Sequence, residues 1–449
     1  MFKHMRLSAD KAFLTLGLFF GLAFAFITPP FQAPDEYVHF FRAYSISEGQ
    51  LMVAPGQTLP LAILEFSRNV SPDPLPGNDQ NKQSKKALFD QFQQPFSDAV
   101  RAAVDMRGTA AYSPVAYLPQ AAGILAGRLL RLPPILIFYL GRLVNLVIWL
   151  GLAFLALRVT PLYAWVLMAL ALLPMSLFQA ASTSPDSLLN ALSLLYIAGA
   201  LRLAYNPGCK ASFQQVVLLS LAFCLLSAIK PAYLLLAGLF LLVPAKFFAS
   251  RLRWALAGAW LLSAGAAPIV LWQLLTKGGV NLTANSSPAD QIRFLQAFPL
   301  DFLRIVWQSS AAQAAHQWEL FVGVLGWLDT PLPGWVYIVA LLLLIFAALS
   351  DHTPQVSLSL RAKICSFLIF IGTWFGIFIL FFVTWTPAGA PQIEGVQGRY
   401  FIPVGALLFL PFYNQRLHPP RGWQLIICAG SAILLAAALR ALLFRYYAI

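Results

Sequence analysis

Apolar runs of about twenty residues alternate along this chain with short polar joints, the length an α-helix needs to cross a bilayer. The first run, Ala12 to Thr28, follows Lys3, Arg6 and Lys11. No small-x-small cleavage pattern follows it, and it ends in Pro29-Pro30-Phe31, so it reads as a retained helix rather than a removed leader. Further runs fall at about 135–157, 161–181, 187–205, 213–229, 231–248, 254–276, 333–350, 364–386, 400–413 and 422–443. The pattern predicts an all-α polytopic membrane protein, one integral domain over 1–449, with about eleven spans (eleven to thirteen).

Val115–Leu130 is the ambiguous piece, because it is short, contains Pro119 and ends in Arg128 and Arg131. The positive-inside rule arbitrates. If this piece does not span, the cytoplasmic ends collect Lys3, Arg6, Lys11, Arg158, Arg202, Lys210, Lys246, Arg251, Arg253, Arg361, Lys363, Arg416 and Arg421. Asp10 and Asp351 are then the acids expected among them. The reading is therefore an interfacial or re-entrant segment, a cytoplasmic N-terminus and an outer C-terminus. Two long outer segments remain, 29–134 and 277–331. The first holds a helix expected at Asp35–Gly49, a Pro-rich middle at Ser71–Lys86 and a helical stretch expected at Lys85–Met106. The second turns amphipathic (Ile292, Phe298, Leu303, Trp307), a pattern suited to lying in the membrane plane.

Composition sharpens the class. Charged residues are 10% of the 449, and hydrophobic ones 59%, with a mean hydropathy of +0.72. Soluble chains carry roughly 25% charged residues, so a cytosolic enzyme, a disordered chain and a secreted disulfide scaffold are excluded. The net charge of +13 reads as membrane topology rather than nucleic-acid binding. Cys209, Cys224, Cys365 and Cys428 have no metal-ligand spacing and read as small apolar residues.

Candidate chemistry lies where the chain leaves the apolar runs. Asp35 and Glu36 follow the first run, with His39 and Arg42 one and two turns on. The plainer account of Asp35 is a helix cap. Asp186, in Ser184-Pro185-Asp186, and Lys230, in Lys230-Pro231, also have plain accounts as a cap and a snorkelling base. Glu394, Gln397, Arg399 and Tyr400 enter the run near 400, and arginine suits bidentate phosphate binding. Asp329 follows Gly326-Trp327-Leu328. One topology puts these acids and bases on a single membrane face. Carboxylates beside fixed cations at headgroup depth suit an anionic lipid-linked donor and a base that activates a hydroxyl. No Gly-rich nucleotide loop with a soluble α/β pattern is present, which argues against a cytosolic nucleotide-sugar donor.

These blocks resemble the bacterial domain-of-unknown-function 2142 family of polytopic membrane proteins. The likeness rests on Pro30-Phe31-Gln32-Ala33-Pro34-Asp35-Glu36 with His39 and Arg42-Ala43-Tyr44, and on Tyr112-Ser113-Pro114 through Pro119. It continues through Ser184-Pro185-Asp186, Lys230-Pro231, Gly326-Trp327-Leu328-Asp329 and Gln397-Gly398-Arg399-Tyr400-Phe401. That family in turn resembles the GT-C superfamily of glycosyltransferases. The resemblance implies an enzyme of a bacterial inner membrane with a polyprenyl-phosphate sugar donor, a glycan or lipid-linked acceptor and an outer-face active site. By position Asp35 matches the base, with Glu36 as helper. His39, Arg42, Tyr112, Asp186, Lys230, Asp329, Glu394, Gln397, Arg399 and Tyr400 are the expected substrate-binding groups. A divalent metal ion is the one cofactor left open, and Asp35, Glu36 and His39 are its expected ligands. A lipid-linked glycan flippase, an O-antigen-type polymerase and a non-catalytic scaffold are the rivals.

Overall fold

A computed structural model describes residues 7–70, 82–206, 211–276 and 287–447. Helix α1 (Ala9–Ile27) forms from the first apolar run, and Pro29 and Pro30 cannot prolong it. Helix α2 (Glu36–Ser47) follows, then strand β1 (Thr58–Pro60), α3 (Leu61–Val70), α4 (Lys85–Asp90) and β2 (Arg101–Ala103). The two strands pair antiparallel, with Thr58 opposite Ala103. The helix expected over Lys85–Met106 is thus cut to six residues. Pro95 disfavours helical backbone at Gln94, and Arg101–Ala103 pairs with β1 instead. Of the Pro-rich middle, residues 71–81 lie outside the described residues, as does Cys209.

Helix α5 (Leu118–Leu129) has twelve residues. That is about 18 Å of helix, too little to cross a ~30 Å hydrocarbon core. It doubles back against α6 (Pro134–Val159), the Leu132 N–H donating to the Gly127 carbonyl. Gly123 permits the approach, since a Cβ there would overlap the Leu140 carbonyl of α6. The 161–181 run is two helices, α7 (Ala164–Ala171) and α8 (Pro174–Ala180). Pro174 has no N–H to donate and ends the ladder at Leu172-Leu173.

Next come α9 (Asp186–Tyr205) and α10 (Phe213–Ile229). Pro231–Leu242 is twelve residues of 3₁₀ turn. At roughly 2.0 Å rise per residue it reaches about 24 Å, against about 18 Å as α-helix. The chain continues with α11 (Arg251–Leu275), α12 (Pro288–Ala297) and α13 (Pro299–Val322). The hairpin β3 (Val324–Leu325) and β4 (Thr330–Pro331) precedes α14 (Gly334–Ser350) and α15 (Leu360–Thr384). A 3₁₀ turn, Gly398–Val404, leads into α16 (Gly405–Phe409), and α17 (Trp423–Tyr446) comes last.

Among the described residues six helices, α1, α6, α9, α11, α15 and α17, are long and apolar enough to cross a membrane. Helix α9 is central, with 83% of its apolar window buried against 11% for α11. The bundle has two distinct ends. At one, the Tyr447 hydroxyl donates to the Ile27 carbonyl and Arg445 pairs with Asp329, so α1 and α17 finish together. At the other, Arg158 at the close of α6 lies 3.8 Å from Asp10. There Asp351 also accepts from the Trp165 and Val166 N–H groups at 2.7 and 3.3 Å. Cys224, Cys365 and Cys428 are free thiols.

Candidate functional site

The Asp35 backbone, like that of Phe31 before it, is irregular at the end where α1 finishes. It holds the position before α2 in the left-handed region, φ 56° and ψ 18°, which costs of order 1–3 kcal/mol for a residue other than glycine. A capping residue normally takes extended backbone and accepts from the first turn. Here the side chain caps nothing, and its carboxylate accepts no hydrogen bond from any described residue. The plain reading of Asp35 as a helix cap therefore fails. The side chain keeps an exposed edge. Burial nevertheless raises its pKa above the usual 3.8, with the Arg399 guanidinium pulling it down and Asp186 pushing it up.

Glu36, one residue on, is in the opposite situation. It is buried and takes both prongs of the Arg142 fork, Nε to Oε1 at 2.8 Å and Nη2 to Oε2 at 2.6 Å. The Thr183 N–H adds a third bond at 3.1 Å. Arg142 spends its other protons on the carbonyls of Ala25, Thr28 and Pro29. This clamp ties α1, α2, α6 and the Thr183 turn together. Three of the roughly four lone-pair sites of this carboxylate are thus taken, so Glu36 is placed as a clamp and not as the expected helper or metal ligand. Arg42 is corrected likewise. It is fully buried and donates to the carbonyls of Gln50 and Leu51, closing the turn after α2.

The charges that act on Asp35 belong to a cluster drawn from several segments. Asp186, at the start of α9, pairs with Lys230, and its other oxygen accepts from Gln179 Nε2 at 3.2 Å. The Lys230 ammonium sits 4.6 Å above the Tyr400 ring and 5.6 Å from the Tyr112 ring centre. Tyr233, one turn past Lys230, fixes Tyr400 by donating to its carbonyl at 2.6 Å. Arg399 donates through Nε to Gln397 at 2.6 Å, and no described carboxylate forms an ion pair with it. Its field reaches Asp35 and Asp186. Gly398 lets this strand of chain lie on α13, since a Cβ would collide with the Gln317 carbonyl. Gln313, Gln317 and Ser309 of α13 also bond the backbone at 393–396, holding the approach to Arg399.

His39 lies against the same group, its Nδ1 2.9 Å from the Tyr117 hydroxyl and its ring edge-on to Tyr112. Burial pushes its pKa down to about 3, so the imidazole stays neutral. The Tyr112 phenol is pushed up to about 12 by burial, which keeps its proton in place.

Asp329 and Glu394 are not drawn in. Asp329 accepts from the Trp327 N–H and the Thr330 hydroxyl and pairs with Arg445 at 2.9 Å, so it fastens the β3–β4 turn to α17. That turn presents Trp327, whose indole donates to the Phe31 carbonyl and whose ring stacks on Tyr37. Glu394 is exposed, and its N–H is held by Thr386. Among the described residues no three His, Cys, Asp or Glu side chains are placed to hold a metal. With Glu36 held by Arg142, the set Asp35, Glu36 and His39 does not fit a divalent ion.

A family model described as predicted membrane protein (DUF2142) matches residues 18–408. The chain belongs to this family. No curated protein and no solved structure matches it. In this DUF2142 chain the whole cluster from Asp35 to Tyr400 lies within the matched span, whereas Arg445 lies beyond it. Three members of this cluster lie outside the expected set: Gln179, Tyr117 and Tyr233. Gln179 had a visible signal, a lone amide inside an apolar helix, and Tyr233 sits at helical spacing from Lys230. Tyr117 falls within the Tyr112–Pro119 block, but its contact with His39 bridges 78 positions and is not visible locally.

Proposed function

We propose that this chain is a GT-C-like inverting glycosyltransferase of a bacterial inner membrane. It would have eleven spans, a cytoplasmic N-terminus and its site on the outer face. An odd number fits the ends of the bundle, since α1 and α17 finish together. The donor is a sugar on a polyprenyl phosphate, and the acceptor is a hydroxyl of a cell-envelope glycan or lipid.

One observation carries the reading: an unpartnered, partly desolvated carboxylate lies in the field of a guanidinium whose terminal nitrogens no carboxylate occupies. Such a fork matches a phosphate. Arg399, oriented by Gln397, holds the donor phosphate, and Lys230 adds charge from its station between Tyr112 and Tyr400. Asp35 accepts the acceptor's proton as that oxygen bonds to the anomeric carbon. The bond from this carbon to the phosphate oxygen breaks on the opposite side, and polyprenyl phosphate leaves. Desolvation makes Asp35 a stronger base than a surface carboxylate. Neutral His39 packs beside this group without adding charge.

Asp35→Asn is the test. Transfer from polyprenyl-phosphate sugar should fall about a hundredfold to ten-thousandfold, with folded protein still in the membrane. Mass spectrometry of envelope glycans reads the product. Near-normal turnover in the Asn variant rejects Asp35 as the base.

A further inference from the structure

At the end of the bundle away from Asp35 there is a cavity bordered by basic residues. Helix α9 runs from Asp186 in the cluster to Tyr205, twenty residues. That is about 30 Å, the thickness of the hydrocarbon core. At Tyr205 it meets a cavity of about 340 Å³ lined by Leu241, Leu242, Val243, Pro244, Trp254, Ser359 and Arg361, among others. Ligand cavities start at about 300 Å³.

The cavity exists because the Pro231–Leu242 segment stops short, turning at Val243-Pro244, while α11 and α15 begin on either side. Trp254 forms one wall, its indole donating to the Val243 carbonyl at 2.9 Å. Leu241, Leu242 and Val243 make an apolar wall. The opposite wall is the first turn of α15, where Ser359 accepts from the Ala362 N–H. Arg361 projects there, exposed and without an ion pair to any described residue. No acid is among the lining residues. Arg202 stands one turn before Tyr205 on α9, Lys246 follows Ala245, and Arg251 and Arg253 open α11. All four are exposed, and none pairs with a described carboxylate. The balance there is wholly positive.

We propose that this cavity binds the phosphate of an anionic phospholipid in the leaflet opposite the Asp35 cluster. An apolar wall continuous with a basic mouth at headgroup depth suits a ligand that is anionic at one end and acyl at the other. A zwitterionic headgroup carries its own ammonium and gains less from uncompensated arginines. A free phosphate satisfies Arg361 but leaves the Leu241–Val243 wall unused. The proposal does not depend on the chemistry at Asp35.

Native mass spectrometry of the detergent-purified full chain tests it. Three probes are added separately: dioleoyl phosphatidylglycerol, dioleoyl phosphatidylethanolamine and inorganic phosphate. The expected result is retention of phosphatidylglycerol over phosphatidylethanolamine. Arg361→Ala should weaken that retention about fivefold, as one basic group at a lipid surface is worth, and Arg361→Lys should restore most of it. Equal retention of both lipids, or an unchanged Arg361→Ala variant, overturns the proposal. So does tight retention of phosphate alone. Because Arg361 is exposed at a helix start, its variants should melt like the parent, which separates lost binding from lost fold.

Discussion

Adjacent residues 35 and 36 stand for two regions at one end of this bundle, built from the same residue types for opposite ends. In the clamp region, Glu36–Arg142 and Asp329–Arg445 are ion pairs whose oxygens are spoken for, and they join helices distant in sequence. In the cluster, Asp35 has no partner, Arg399 has no carboxylate, and Lys230 shares its charge between Asp186 and two rings. Buried polar groups are normally satisfied. The clamps obey that rule, whereas Asp35 keeps an exposed edge and has no partner among the described residues, on a left-handed backbone. What the difference teaches is that sequence proximity to a motif is a weak guide to role. The bonds left unmade around a side chain discriminate better.

The hardest blow to this comparison is Arg142→Ala. It leaves the Glu36 carboxylate buried without its cation and orphans three carbonyls. Losing one partner of a buried pair costs roughly 3–5 kcal/mol. The expected outcome is a large fall in melting temperature and in membrane-inserted yield. Replacing both partners with apolar residues, Glu36→Leu with Arg142→Met, should recover part of the loss, because no isolated charge remains. If Arg142→Ala melts like the parent, Glu36 is not a clamp and returns as a candidate for chemistry.

The apolar pattern located the six long apolar helices, because burial in lipid leaves a contiguous run wherever a segment crosses, but the 161–181 run breaks into two helices and 231–242 is a 3₁₀ turn. Runs such as 187–205 and 213–229 match α9 and α10 within a residue. It failed at Lys85–Met106, where pairing of Arg101–Ala103 with Thr58–Pro60 overrode local helical character. The site was legible as a set of termini but not as a division of labour. Nothing local to Pro34-Asp35-Glu36 says which acid meets Arg142, 106 positions on. The left-handed backbone at Asp35 is only weakly signalled by residue type, aspartate being one of the few that tolerate it. Arg42 misled for a related reason: helical spacing places it near His39, yet the turn at Gln50 and Leu51 takes its protons.

A gentler test works within the cluster. Asp35 acts as base only when ionised, so the rate should fall as pH drops through its raised pKa. The acid limb of kcat/KM then lies above the usual carboxylate value of 3.8. Arg399 is the group that holds this pKa down against burial and Asp186. Arg399→Gln should therefore move the limb further up while weakening donor capture. Neutral His39 contributes no limb near 6.5, because its own pKa lies far below that. A limb that stays put in Arg399→Gln separates the guanidinium from Asp35 and dissolves the cluster.

Trp327→Phe is the smallest expected effect and the most discriminating about where the clamps stop. Phenylalanine keeps an aromatic face for Tyr37 but loses the indole N–H that meets the Phe31 carbonyl at 2.9 Å. One part-buried hydrogen bond of this kind is worth about 1 kcal/mol. The variant should lose that much stability in a thermal melt and leave the acid limb where it was, since Trp327 carries no charge toward Asp35. Phe31 lies only four residues before Asp35 and shares its left-handed backbone. If losing the indole bond moves the limb as Arg399→Gln does, the Trp327 turn sets the pose of the base, and Asp329 with Arg445 belongs to the chemistry after all.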